Sequence, residues 1–176
     1  EVAPAFVAHG GACGACAVCF SANVSATCDA CGARFCSDIC AARHTPGECA
    51  LRASSPIDAA LALRAAASAN ATALLTADRG SASADQLADT AARAAGMARP
   101  DAPLSRAARL ALTHAFEVVT PDDTARGLAI FPLCGLANHS CAPNAEYSFA
   151  CHVDGAGPPG PRLELRALRP IGPAEE

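Results

Sequence analysis

Eight metal-type side chains crowd between residues 16 and 49, in four pairs: Cys16-x2-Cys19, Cys28-x2-Cys31, Cys36-x3-Cys40 and His44-x4-Cys49. No other feature limits the fold of this chain as strongly. Two residues between cysteines let both thiolates of one tight turn reach the same tetrahedral ion. Three residues between Cys36 and Cys40 predict two ligands on one face of a helical turn. Eight ligands fill two closed tetrahedral sites, the pattern of structural rather than catalytic zinc. The module holds few large apolar side chains, so its folding is expected to depend on metal. Cys13 offers a competing first pair, Cys13-x2-Cys16.

Eleven cysteines could instead build a disulfide scaffold. Their placement favours zinc in a reducing compartment. Eight lie from Cys13 to Cys49 and the others are Cys134, Cys141 and Cys151, so the Ala-rich middle that would most need staples has none. Alanine accounts for 46 of the 176 residues, so the 52% hydrophobic content overstates the core. Alanine favours helix but buries little area, which predicts long helical stretches with modest packing. The chain has no Lys, and its 13 Arg residues are scattered at a net charge of -4. Without a basic stripe, nucleic acid is not the expected partner. No apolar run reaches the roughly 18–20 residues that span a bilayer, so no membrane association is expected. No signal sequence is visible, and the chain starts at Glu1.

Read in order, Glu1 to Val7 alternates and is broken by Pro4, suiting an edge strand, and His9 to Ala12 is a joint. Residues 50–116 read as helices. Ser55-Pro56-Ile57-Asp58 is a helix start, with sparse contacts from Leu61, Leu63, Leu74 and Leu75. Asp78 to Gly80 breaks the run, and Ser83-x-x-Gln86 reads as a second cap ahead of Leu87 to Met97. A third helix carries Leu104, Ala107, Ala108, Ala111, Leu112 and Ala115. His114 is read as a structural polar residue. Val118-Val119 is extended, Thr120 to Asp123 is a turn, and Leu128 to Phe131 and Glu146 to Val153 are strands. Asp154 to Pro161 is a loop, and Leu163, Leu165 and Ala167 mark a half-buried strand.

The second informative stretch is Asn138-His139-Ser140-Cys141-Ala142-Pro143-Asn144, which follows the apolar run Leu128 to Ala137. Such an approach predicts that the polar cluster is carried into the interior, where each group needs a partner or costs about 1–3 kcal/mol. Read alone, it is a Cys/His half-site or a polar hairpin loop. The longer run Gly127 to Phe149, GLAIFPLCGLANHSCAPNAEYSF, resembles the central signature of SET-domain protein methyltransferases. The order of the metal pairs, with Phe35-Cys36-Ser37, resembles a MYND zinc finger. Together they resemble the SET and MYND domain-containing lysine methyltransferases.

That resemblance implies an α+β fold: a partial SET β-fold whose strands come from both chain ends, with the finger and a helical segment inserted. Residues 1–12 would close the first SET strands, 13–49 form the finger, 50–126 the helical insert and 127–176 the SET core. It selects Cys16-Cys19 over the pair with Cys13. It also implies interleaved sites, with Cys16, Cys19, Cys36 and Cys40 on one zinc and Cys28, Cys31, His44 and Cys49 on the other. The short interval from Cys40 to His44 and the absent Trp depart from the family pattern. By resemblance, the Asn138 segment threads beneath another loop. Asn138 would bind the amino-acid end of S-adenosylmethionine, the His139 backbone would read its adenine, and Cys141 would join a third zinc. The Gly-x-Gly loop is expected before Glu1, and the catalytic Tyr and further zinc cysteines after Glu176. Tyr147, on the strand after the motif, does not match the catalytic Tyr, so no catalytic residue is expected within the chain, which alone would have little activity.

The implied function is S-adenosylmethionine-dependent protein-lysine methylation in the nucleus or cytoplasm, on a histone or another protein, with the finger meeting protein partners. The alternative is a catalytically inactive zinc-binding adaptor. A zinc-binding ubiquitin-ligase module would leave Asn138 to Asn144 without a role.

Overall fold

Two segments far apart in the chain lie side by side in its main sheet. A computed structural model describes residues 5–8, 15–21, 23–54, 57–68, 75, 81–119, 126–151, 161–173 and 175. Strand β1 (Ala5–Ala8) runs antiparallel to β5 (Arg126–Ile130), with Ala5 opposite Ile130 and Ala8 opposite Gly127. On its other side β5 pairs with β4 (Ala115–Val119), also antiparallel, so β1 is an edge strand as its composition predicts. Between β1 and β4 the described residues form a small hairpin, β2 (Ala26–Thr27) and β3 (Arg34–Phe35), and then five helices. These are α1 (Asp38–Ala41), α2 (Pro46–Ser54), α3 (Ile57–Ala66), α4 (Ala82–Ala94) and α5 (Ala102–His114). After β5 come a single 3-10 turn, Cys134–Leu136, and a second hairpin, β6 (Ala145–Cys151) and β7 (Pro161–Ala167).

Strand β5 is the wall between two cores, because successive side chains of a strand face opposite ways. Leu128 and Ile130 join the helical core, while Ala129 and Phe131 join the core of the cysteine-rich segment. On the helical side Leu51, Leu61, Leu75, Leu104, Leu110 and Ile130 are the large buried side chains among the described residues, surrounded by alanines. The alanines themselves are enclosed: Ala59, Ala62, Ala65, Ala91, Ala107 and Ala108 are all buried to within 1% exposure. Alanine buries little area itself, but its small side chain lets helices approach closely and seal the few leucines between them.

Three local expectations also shift. The cap of α4 is Ser81, whose hydroxyl accepts from Ala84 N at 3.2 Å, while Ser83 lies inside the helix. In α5 the buried arc runs through Leu110 and leaves Leu112 46% exposed; Asp101 caps this helix, accepting from Leu104 N at 2.9 Å. In β7 the half-buried alternation holds only at the Pro161 end, where Leu163 packs against the cysteine-rich core. Leu165 is 58% exposed. The expected helix start at Ser55-Pro56, Leu74, the break at Asp78 to Gly80, the turn at Thr120 to Asp123 and the loop from Asp154 to Gly160 lie outside the described residues.

Candidate metal centres and cofactor site

Both Cys-x2-Cys pairs fold into the same turn, closed by backbone hydrogen bonds at each end. Phe20 N donates to Cys16 O (3.0 Å) and Cys16 N to Ser21 O (2.8 Å). In the second turn, Gly32 N donates to Cys28 O (2.8 Å) and Cys28 N to Ala33 O (2.7 Å). The residue after the second cysteine takes a positive φ in each, +62° at Phe20 and +70° at Gly32. Glycine adopts this freely, whereas a bulky residue there is strained. Burial of the Phe20 ring, 2% exposed in the core, offsets that strain.

The third pair does not share a helical turn. Cys36 lies before the cap of α1, Ser37, whose hydroxyl accepts from Cys40 N at 3.3 Å. Cys40 is inside the helix. The chain direction changes at Ser37, yet the two sulfurs still come to 3.6 Å. Cys36 and Cys19 sulfurs are 3.3 Å apart. The ligand atoms of Cys16, Cys19, Cys36 and Cys40 all lie within 4.8 Å of one another, and so do those of Cys28, Cys31, His44 and Cys49. In the second group Cys28 and Cys49 sulfurs are 3.8 Å apart, and Cys31 Sγ lies 3.3 Å from His44 Nε2. All nine described cysteines are free thiols. Cys13 and the Cys151 side chain lie outside the described residues.

A tetrahedral zinc with bonds of about 2.3 Å places its sulfurs about 3.8 Å apart, so both quartets match that ion in donor set and spacing. Their electrostatics point the same way. Donation from the Cys19 S–H, and then from backbone N–H groups, outweighs burial and lowers the Cys16 thiol to about 4. The same contact pushes Cys19 upward. Cys40 is raised to about 11, first by burial and then by its hydrogen bond to Cys36. Four thiols so close cannot all ionise unless a cation neutralises them. Each quartet could therefore hold a zinc ion. They differ in depth: Cys16, Cys19 and Cys40 are fully buried, while every member of the second quartet is half-buried.

The sequence reading passed over the spacing of Thr45 and Glu48. Thr45-Pro46-Gly47-Glu48 is a capping box at the start of α2, in which Glu48 N donates to Thr45 Oγ1 and Thr45 N donates to Glu48 Oε2, both at 3.2 Å. The signal was present in the Thr-x-x-Glu spacing with Pro at the first helical position. Its partner from α3 was not: Arg64 donates to both Glu48 oxygens through Nε and Nη2 at 2.7 Å. Burial alone would raise the Glu48 carboxyl, but the neighbouring His44 ring and the Arg64 guanidinium bring it down to about 2. The His44 ring lies against Phe35, with centroids 5.3 Å apart.

The polar motif lies elsewhere, and its expected burial is corrected. Phe131, Pro132 and Cys134 are buried, and burial pushes the Cys134 thiol up. The 3-10 turn then redirects the chain, and Ala137 to Pro143 are exposed. The approach is anchored at Gly135, where an added Cβ would sit 2.8 Å from Leu75 Cδ2 and 3.5 Å from His114 Nδ1. The apolar run thus stops at the anchor and does not draw the polar residues inward. Among the described residues the Asn138 amide makes no hydrogen bond, and Cys141 Sγ meets His139 Nε2 at 3.5 Å with no second thiol beside it. No loop covers the motif among these residues. The segment after β7 does return to its end: Leu168 N donates to Asn144 O at 2.8 Å, and Asn144 Nδ2 donates to Glu175 Oε1 at 3.4 Å. Tyr147, on β6, packs edge-on against Phe116 and Phe149.

A family model described as "SET domain" matches residues 21–176. No curated protein matches the sequence. The matched region takes in β4 and β5, the Asn138 motif and the β6–β7 hairpin, and with most of its length covered this chain belongs to the SET-domain family.

Proposed function

We propose that this protein is a protein-lysine N-methyltransferase that uses S-adenosylmethionine and carries two structural zinc ions in a MYND-type finger. The observation that most supports the reading is the SET-domain match over residues 21–176, within which the Asn138 segment lies. SET-domain methyltransferases use S-adenosylmethionine, which when bound supplies a methyl group on a sulfonium. The residues at the motif suit such a ligand. Asn138 is exposed, its amide makes no hydrogen bond among the described residues, and it can meet both the amino and carboxylate ends of an amino acid. The Asn138 side chain would hold the cofactor's amino-acid end and the His139 backbone its adenine. The close approach of Gly135 to Leu75 and His114, just before the motif, supports this reading. Alignment of reacting groups by such contacts contributes up to about 7–11 kcal/mol of barrier lowering.

In the finger, Cys16, Cys19, Cys36 and Cys40 hold one zinc and Cys28, Cys31, His44 and Cys49 the other, and Cys141 belongs to a third site. The finger meets protein partners. Its exposed charges are balanced, Arg34 and Arg43 against Asp29 and Asp38, which suits protein better than nucleic acid. The test is binding of labelled S-adenosylmethionine, and methyl transfer from it to a panel of histones and cell extract, by the protein and by its Asn138→Ala variant. Cofactor binding or transfer that is lost in Asn138→Ala, with folding kept, is the expected result. A protein that neither binds the cofactor nor transfers methyl would favour the adaptor reading and overturn this one.

A further inference from the structure

The geometry points to Glu48 as the positioning residue of the second metal site: its carboxylate holds His44 so that Nε2 faces the three thiols. The inference rests on the second quartet being a zinc site and adds the group that orients its one imidazole. His44 Nε2 lies 3.3 Å from Cys31 Sγ, so that nitrogen points into the quartet. The opposite ring nitrogen, Nδ1, lies 3.6 Å from Glu48 Oε2. An imidazole with a carboxylate behind one nitrogen carries its proton there and presents the other nitrogen's lone pair to a metal.

The carboxylate is itself fixed. Glu48 is only 3% exposed, and its two oxygens accept from Arg64 Nε, Arg64 Nη2 and Thr45 N. A capping box alone does not require burial or a bidentate arginine, since its glutamate can reach back to the cap from a solvated surface. The extra partner matters for the ring. Arg64 comes from α3, so the helical layer sets the angle of a ligand in the cysteine-rich layer. Phe35 closes the other side of the imidazole, with ring centroids 5.3 Å apart. His44 is thus held by a carboxylate and an aromatic ring, neither of them a ligand.

A positioning role and a merely structural one predict different couplings. Glu48→Gln keeps a capping-box side chain and the volume but removes the anionic acceptor behind Nδ1. Replacing His44 by Cys leaves a four-thiolate set that needs no tautomer fixed. Full-length chain is loaded with Co2+ or Zn2+, and the affinity of each site is read by competition with a chromophoric chelator. The Co2+ absorption separates the all-sulfur quartet from the one with a nitrogen ligand. Glu48→Gln is expected to weaken the second site by about 10–100-fold and spare the first. It should have no comparable effect in the His44→Cys background. Thr45→Ala, which breaks the cap and leaves the carboxylate behind His44, is expected to lower stability while leaving second-site affinity near that of the unmutated chain. Equal losses from Glu48→Gln in both backgrounds, no loss in either, or a loss in Thr45→Ala as large as in Glu48→Gln would overturn the role assigned to Glu48. A chain that takes up only one metal before any substitution would remove the zinc reading of the second quartet, and the inference with it.

Discussion

Removing one ligand from each quartet should have unequal consequences, and the inequality can be worked from burial. Cys40 is 1% exposed and sits in one core with Val18, Phe20 and Phe35, each no more than 3% exposed, with Val118 and Ala129 of the sheet and with Phe131 just after β5. Cys40→Ala leaves three thiols that cannot close a tetrahedral site, so the first ion and the turns it ties are lost together. Full exposure of Val18, Phe20 and Phe35 would cost about 1.5–3 kcal/mol each, about 4.5–9 kcal/mol in all. That is comparable to the whole stability of an ordinary domain, about 5–15 kcal/mol. Cys49 is half-buried, as are the other members of its quartet, so Cys49→Ala releases an ion without opening a core. Zinc per chain by native mass spectrometry, far-UV circular dichroism melts and tryptic cleavage at Arg34 and Arg43 read the outcome; with no Trp and one Tyr, near-ultraviolet probes carry little signal. Cys40→Ala is expected to lose the first ion and become cleavable at both arginines. Cys49→Ala should keep one ion and most of its resistance. A Cys40→Ala protein that stays resistant with one ion bound, or a Cys49→Ala protein that loses both ions and unfolds, would refute the argument from burial.

The unmutated chain should carry two zinc ions, and Cys36→Ala should lose the first; one or none in the parent by elemental analysis would end the double-site assignment. Gly32→Ala should lower the stability of the finger by about 1–2 kcal/mol from backbone strain alone, since a Cβ there meets nothing within 4 Å. A denaturant midpoint unchanged from the parent would contradict the positive φ. Non-specific DNA should bind feebly at physiological salt, because the finger's exposed charges cancel. Tight binding that falls steeply as salt rises would count against this. Asn138→Ala should leave the melting temperature unchanged, since the side chain is exposed and without a hydrogen bond among the described residues; a large drop would mean the motif carries structure as well as chemistry.

Much of the candidate metal chemistry was legible in residue order, because a Cys-x2-Cys turn is local. Its backbone closure and its sulfur spacing are set within six residues, as the matching bonds around Cys16 and Cys28 show. The strands flanking the Asn138 motif were legible for the same reason, since a short apolar run such as Leu128 to Phe131 is a local signal. The amino-acid order by itself could not tell what lay on each face, nor that β1 would pair with β5 across the intervening finger and helices. The enclosure of the alanines depends on how the helices come together, a property of packed elements that no single alanine announces. The exposure of Asn138 was misjudged because hydropathy along the chain does not encode where a turn redirects it, and Gly135 against Leu75 decides that. The hold on His44 shows the division most plainly. Thr45 and Glu48 are neighbours in sequence and their capping box is local, but the guanidinium that fixes the carboxylate arrives from Arg64 on another helix. Local spacing determines which groups can act as ligands; only long-range packing determines which way an imidazole must turn.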